Sequence, residues 1–278
     1  MGYRDILVQI DDTAASGARA AAAAALAARW SASRTGLFLK TEFLRQYMAG
    51  EALTYMRPED IDTLLKDHAG AVEKASERAR ALFEQAAGEA GVMSDWRVVD
   101  GDSDTALIDC ARRFDLTVFP PEARPSLGDQ SIPAADLGMA CGGPVLVIPE
   151  GATGAGPGER IVVAWKGARE SARALRDAWP FLMAAKEVHV VVVSPQGEGG
   201  PDGLLQRHLE NHGCTANLII DRSYDASAAD ILRRQIKTLD ADLLVMGLYG
   251  RPRIQEMILG GVSRDLLGDP PTAMLISH

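Results

Sequence analysis

Short apolar, β-branched runs recur in the same order in the two halves of the chain. Ile6-Leu7-Val8-Gln9-Ile10-Asp11-Asp12 is echoed by Ile161-Val162-Val163-Ala164-Trp165-Lys166-Gly167. Asp115-Leu116-Thr117-Val118-Phe119 is echoed by Asp242-Leu243-Leu244-Val245-Met246, and Gly143-Pro144-Val145-Leu146-Val147-Ile148 by Pro271-Thr272-Ala273-Met274-Leu275-Ile276. Similar segments kept in order at similar spacing mark a repeated structural unit. The Gly-rich stretch 151–158 lies between the copies and reads as a linker. The 278 residues therefore divide into a domain over 1–150, a linker over 151–158 and a domain over 159–278, each long enough to bury a core.

Runs of this kind, bounded by turn residues and separated by helical patterns, are what strands buried on both faces look like. The second half predicts strands at 160–165, 187–194, 215–220, 242–247 and 272–277. Helices fill the gaps: Glu170 to Leu182, Leu204 to His212 with Gly213 as its C-cap, and Ala226 to Thr238 after the turn residues Ser223-Tyr224-Asp225. The first half predicts strands at 4–10, 35–40, 95–99, 115–119 and 144–148, with a long helical insertion at about 42–91 between the second and third. Strictly alternating strands and helices mean βαβ crossovers. The fold class is thus α/β, two tandem five-stranded parallel-sheet domains of Rossmann-like kind. Strands 144–148 and 272–277 are expected to pair and so make the chain a pseudo-dimer. The alanine-dominated stretch 14–30 is a plain helix, since alanine has the best helix propensity and packs closely on a sheet.

A net charge of −9 argues against a nucleic-acid binder, which needs a basic surface to neutralise phosphates. Cys110, Cys141 and Cys214 lie far apart without a CxxC, so neither a disulfide framework nor a zinc site is encoded, and a reducing compartment is implied. The amino terminus does not read as a leader, and no apolar run approaches the ~18 residues of a membrane span. The expectation is a soluble, cytoplasmic protein.

In open α/β sheets, ligands collect at the carboxyl ends of the strands. There, strand four of the second half is followed by Gly247-Leu248-Tyr249-Gly250, nine residues, and then Gly260-Gly261-Val262-Ser263 opening a helix. Glycines let a backbone approach a ligand closely, and the free amides of a helix start attract phosphate oxygens. Arg251, Arg253 and Arg264 lie in the same segment, as phosphate partners or as solvated surface. The pattern is neither a Walker A loop nor GxGxxG.

The arrangement G-x2-G-x9-G, followed by small residues and Val-Ser, resembles the ATP-binding signature of universal stress proteins. The likeness extends over both halves: opening strand, Ala-rich first helix, D-x-x-V fourth strand, Pro-Val-Leu-Val-Ile closing strand. It implies an adenine nucleotide alpha hydrolase-like fold in tandem, and a site holding ATP or no nucleotide. Carried over residue by residue, the nucleotide-binding set is Gly247, Gly250, Gly260, Gly261, Val262 and Ser263, with Ala164, Lys166 and Val193 at the ends of the first two strands. Two positions depart from the family pattern. Gly261 stands where a Ser or Thr usually follows the third glycine, and Lys166 replaces the strand-one aspartate.

The first half lacks the motif. Its fourth strand runs into Pro120-Pro121-Glu122-Ala123, with Pro133 near the third-glycine position, which removes amide donors and adds an anion. Asp11 keeps the strand-one acid and reads as the N-cap of the helix that starts near Thr13. Residues 1–150 carry 15 Lys+Arg against 23 Asp+Glu, the remainder 14 against 15, so the second half is the one kinder to phosphate.

His189, His208 and His212 have no accompanying acid as in HExxH, and the i, i+4 pair His208 and His212 reads as solvated helix surface, so no metal ligand set is expected. Cys141 has no histidine partner and reads as a small buried residue; Trp165 either stacks on a base or fills the boundary between sheet and helices. With no nucleophile elbow and no general base, no enzyme activity is expected beyond very slow ATP hydrolysis. The first reading is a stress-response, nucleotide-responsive signalling module with ATP in the C-terminal domain only, Mg²⁺ entering only with ATP, and binding that orders loops 248–263. Its alternatives are a scaffold that binds no nucleotide and a slow ATP hydrolase. An unidentified protein and a second copy of the chain are the partners in view; nucleic acid and membrane are not.

Overall fold

The computed structural model describes residues 2–40, 57–100, 104–126, 131–152, 156–194, 203–248 and 261–278. They form two compact units. The first comprises the described residues of Arg4–Pro133 with Gly156; the second takes residues 2–3, 134–152 and those of 157–278.

In the first unit the order is β1 (Asp5–Gln9), α1 (Ala15–Trp30), β2 (Ser33–Lys40), α2 (Pro58–Ala90), β3 (Ser94–Asp100), α3 (Asp104–Ala111), β4 (Leu116–Phe119), β5 (Glu122–Ala123) and β6 (Ile132–Pro133). Parallel pairing gives the sheet order β3-β2-β1-β4. Ile6, Leu7, Val8, Leu116 and Val118 are fully buried, as expected of strands covered on both faces. The helical insertion stands as α2; its expected first part, 42–56, lies outside the described residues. Gly36 of β2 is a packing glycine, because a Cβ there would meet the Trp96 ring at 2.6 Å. Beyond β4, Glu122–Ala123 pairs antiparallel with Ile132–Pro133, a short hairpin that no sequence pattern announces.

The second unit runs α4 (Ala134–Ala140), β7 (Val145–Val147), β8 (Arg160–Ala164), α5 (Arg169–Asp177), α6 (Trp179–Leu182), β9 (Glu187–Val193), α7 (Gly203–Asn211), β10 (Asn217–Asp221), α8 (Ala228–Thr238), β11 (Leu243–Gly247), α9 (Val262–Gly268) and β12 (Ala273–Ser277). Five parallel strands lie in the order β10-β9-β8-β11-β12, and β7 joins β12 antiparallel with Leu146 opposite Leu275. That is the pairing expected of 144–148 with 272–277. The single helix expected over 170–182 is two. Ala178 separates α5 from α6, and Pro180, without an N–H to donate, sits in the first turn of α6. Gly213 adopts φ +78°, the left-handed conformation that ends α7.

Among the described residues no helix is long and apolar enough to cross a membrane.

Candidate functional site

Strand order fixes where a ligand can sit. In the second unit the chain steps from β8 to β9 to β10 in one direction and from β10 to β11 to β12 in the other. Right-handed crossovers then place α5 on one face and α8 and α9 on the opposite one. In open α/β sheets such a reversal is where ligands bind, here at the carboxyl ends of β8 and β11. Ala164, Trp165 and Lys166 leave β8 there, and Gly247 and Leu248 leave β11; Val193 ends β9 on the same edge.

Each predicted residue has a definite environment. Gly247 is jammed against the first turn of α5: a Cβ would lie 2.4 Å from the Glu170 carbonyl carbon and 2.6 Å from its oxygen. This glycine lets α5 press on β11. The Leu248 N–H donates to Ser277 O at 2.8 Å, and the His278 ring nitrogen Nδ1 lies 3.2 Å from Leu248 O. Lys166 is exposed and makes no ion pair among the described residues. It precedes Gly167, which turns into α5 at φ +69°. There the Ser171 hydroxyl accepts from the Ala168 N–H at 3.1 Å and closes the first helical turn. Gly250, Gly260, Arg251 and Arg253 lie outside the described residues.

Gly261 is the N-cap of α9, extended at φ −68°, ψ 142°. Its carbonyl accepts from the N–H groups of Arg264 and Asp265, at 2.9 and 3.1 Å. The N–H groups of Gly261 and Val262 have no partner among the described residues. Ser263 is buried, which leaves the backbone as the donor surface here, and Arg264 is exposed. On β12, the buried Ser277 hydroxyl, in register with Gly247, has no hydrogen-bond partner among the described residues. From α8, Arg233 caps the far end of α9 through Asp265 O and Asp269 O, at 2.8 and 3.0 Å. The helix start is thus held from behind, while the Gly261 and Val262 amides have no partner among the described residues.

At the neighbouring strand end Asp221 closes β10. It accepts from Gln235 Nε2 at 2.8 Å and from the Ser223 N–H at 2.9 Å. The Ser223 hydroxyl and N–H, with Gln235 and Arg234 beside them, hold its carboxyl down to about 2, against the opposing effect of burial. Spacing alone did not single out this residue; an aspartate ending an apolar strand before an Arg-Ser turn is the signal it offers.

The first unit reverses strand order between β1 and β4, and its own side chains occupy that point. Arg19, 3 % exposed, reaches back from α1 to Gln9 O, Gln9 Oε1, Asp11 Oδ2 and Ser16 Oγ, at 3.1, 3.1, 2.8 and 2.7 Å. Burial would raise the Asp11 carboxyl, yet Arg19 and hydrogen bonds from Thr13 and Ser16 hold it below the ordinary carboxylate range. Asp11 is therefore not the N-cap expected of it. Ala14 holds that position without a side-chain bond, and Asp11 serves as the counter-ion of Arg19.

No protein-family model matches the chain, and no curated protein does. Solved structures do. A universal stress protein from Archaeoglobus fulgidus DSM 4304 superposes with a TM-score of 0.70 at 14% identity, over 98% of this chain and 97% of that one. The fold is that of the universal stress proteins. A provisionally assigned universal stress protein of Pseudomonas aeruginosa UCBPP-PA14 follows at TM-score 0.56 and 19% identity, covering 99% and 93% of the two chains. A functionally unknown protein of Pseudomonas aeruginosa PAO1 gives 0.55 at 18%, covering 99% and 92%. The universal stress fold thus extends over the tandem chain, both units included.

Among the described residues no group of three or more His, Cys, Asp or Glu could hold a metal ion. Cys110, Cys141 and Cys214 are buried thiols outside any disulfide, and burial raises those of Cys110 and Cys214, which keeps them protonated and poorly nucleophilic.

Proposed function

We propose that the chain is a nucleotide-responsive binding module that takes the phosphates of ATP at the carboxyl edge of its second unit and acts by occupancy, not turnover. The observation that carries this reading is the pair of amides, Gly261 and Val262, without a partner among the described residues at the start of α9, in a fold whose strand order reverses at that edge, where open α/β sheets take ligands. Exposed Lys166, past the end of β8, and exposed Arg264, on α9, carry positive charge toward a phosphate at this edge. Those residues fit a polyphosphate. Any Mg²⁺ comes with the nucleotide. In the first unit the Arg19–Asp11 network occupies the equivalent point, so nucleotide binds in the second unit only. Occupancy changes what a protein partner meets, because a ligand shifts states through its different affinity for each. The reading makes the protein a cytoplasmic stress-response signalling component.

Backbone conformation offers a clean test. Gly261 already has a φ that proline adopts, and nothing lies within 4 Å of a Cβ there. Val262 is the first helical residue, where proline is well tolerated. Gly261→Pro and Val262→Pro each delete one N–H without disturbing the helix, and Gly261→Ala keeps it. Calorimetry with ATP should show Gly261→Ala binding as the parent chain does and either proline variant binding at least about tenfold more weakly, as loss of one charge-assisted bond requires. Equal affinities across all four chains would refute the phosphate cradle.

A second reading draws on two other observations. Gly247 has a packing reason for being glycine, and the Leu248 N–H is already spent on Ser277. On that reading the chain is a scaffold without nucleotide, and the parent chain shows no heat with ATP at millimolar concentration.

A further inference from the structure

An indole holds two imidazoles at the edge of the second unit. His208 of α7 and His212, just past its end, sit one turn apart, their ring centroids 4.8 Å from each other and edge to face. Trp179 of α6 lies against both, at 5.7 Å from His208 and 4.5 Å from His212. His212 is exposed and His208 half-buried, so both rings are open to water. Neither imidazole is hydrogen-bonded among the described residues, while neighbouring Glu210 is engaged by Gln206 at 3.0 Å.

Two histidines at i and i+4 present ring nitrogens from one helix face at a spacing that a single cation can bridge. The sequence by itself offered no third ligand and no reason for the rings to be ordered. Trp179 supplies the order: rings tilted against the half-buried indole have already lost rotamer freedom that chelation would otherwise remove. An indole face is also a favourable neighbour for a cation. Met183, one turn beyond Trp179 and 52% exposed, places its methyl carbon 3.5 Å from where a Cβ on Gly213 would stand, so a thioether lies beside the residue after His212.

We propose that His208 and His212 form a bidentate surface site for a late first-row divalent cation, with water in the remaining positions. Imidazole favours Cu²⁺, Ni²⁺ and Zn²⁺ over Mg²⁺ and Ca²⁺, and among them the Irving–Williams order puts Cu²⁺ first. The site is independent of the nucleotide reading and shares no residue with it.

The test uses the untagged full chain. Calorimetric titration with NiCl₂ should show one site per chain that either His208→Asn or His212→Asn weakens at least tenfold. Under CuCl₂, tryptophan fluorescence should fall saturably, and Trp179→Phe should keep the Ni²⁺ stoichiometry while losing that saturable component. His212 is exposed, so its variant should keep the parent's circular dichroism, and weakened binding in a folded chain supports the site. Parent and His208→Asn/His212→Asn chains that bind Ni²⁺ alike, or a copper quench unchanged in Trp179→Phe, would overturn it.

Discussion

Gly247 shows how a motif residue can have a reason other than the motif. Its spacing to Gly250 and Gly260 was legible from the sequence; its contact with the Glu170 backbone was not, because that contact exists only once α5 lies across β11. Gly247→Ala must push the helix off the strand. We expect it to destabilise the second unit by about 3 kcal/mol, near the upper end for overpacking, read as a lowered urea midpoint with or without ATP. Asp221 makes a second case at this scale. Its carboxyl stands at about 2 when folded, against ~3.9 in an unfolded chain. A depressed acid contributes its stability above the unfolded value and loses it as pH falls through the folded one. Stability should therefore drop by about 2 kcal/mol between pH 4 and pH 2 on account of this group. Asp221→Asn should flatten that part of the pH profile in denaturant titrations, and an unchanged acid limb would exclude the assignment.

Strands were the elements most legible, because runs such as Leu243–Gly247 and Glu187–Val193 are apolar, β-branched and bounded by turn residues. Helix ends were less so. Pro180 inside the pattern over 170–182 carried the signal for the break between α5 and α6, whereas Ala14 capping α1 with no side chain bonded to it carried none. The hairpin of β5 and β6 has two residues a side, too few for any periodicity. Least visible was how the elements of the first unit are tied together. Arg34 of β2 is 1% exposed, donates to Ala20 O in α1, Phe83 O in α2 and Ser94 Oγ in β3, and lies 4.1 Å over the Phe83 ring, with no carboxylate partner among the described residues. Burial lowers its pKa to about 10. One planar fork thus joins three elements. A lysine ammonium lacks that geometry, so Arg34→Lys should leave carbonyls unpaired at a loss of about 2 kcal/mol, detectable as faster hydrogen exchange in α1 and α2. Protection equal to the parent's would show that Arg34 is dispensable there.

For the molecule as a whole, the repeat in the sequence was enough to give two α/β units, and the universal stress fold spans nearly the full chain at 14% identity to the Archaeoglobus fulgidus protein. Residues 134–152 count with the second unit although they precede the linker in sequence, since β7 completes the sheet beside β12. The strand-one positions set the two units apart chemically: Asp11 is tied to a buried arginine, while Lys166 stands exposed past the end of β8. That asymmetry is why the proposal confines nucleotide to one unit. The most direct check is the amide spectrum of the ¹⁵N-labelled full chain during an ATP titration. The Gly261 and Val262 signals should move and saturate together, while Leu248, already bonded to Ser277, and the amides around Asp11 stay in place. ATP that leaves Gly261 and Val262 where they were, or that moves the Asp11 region instead, would contradict the account.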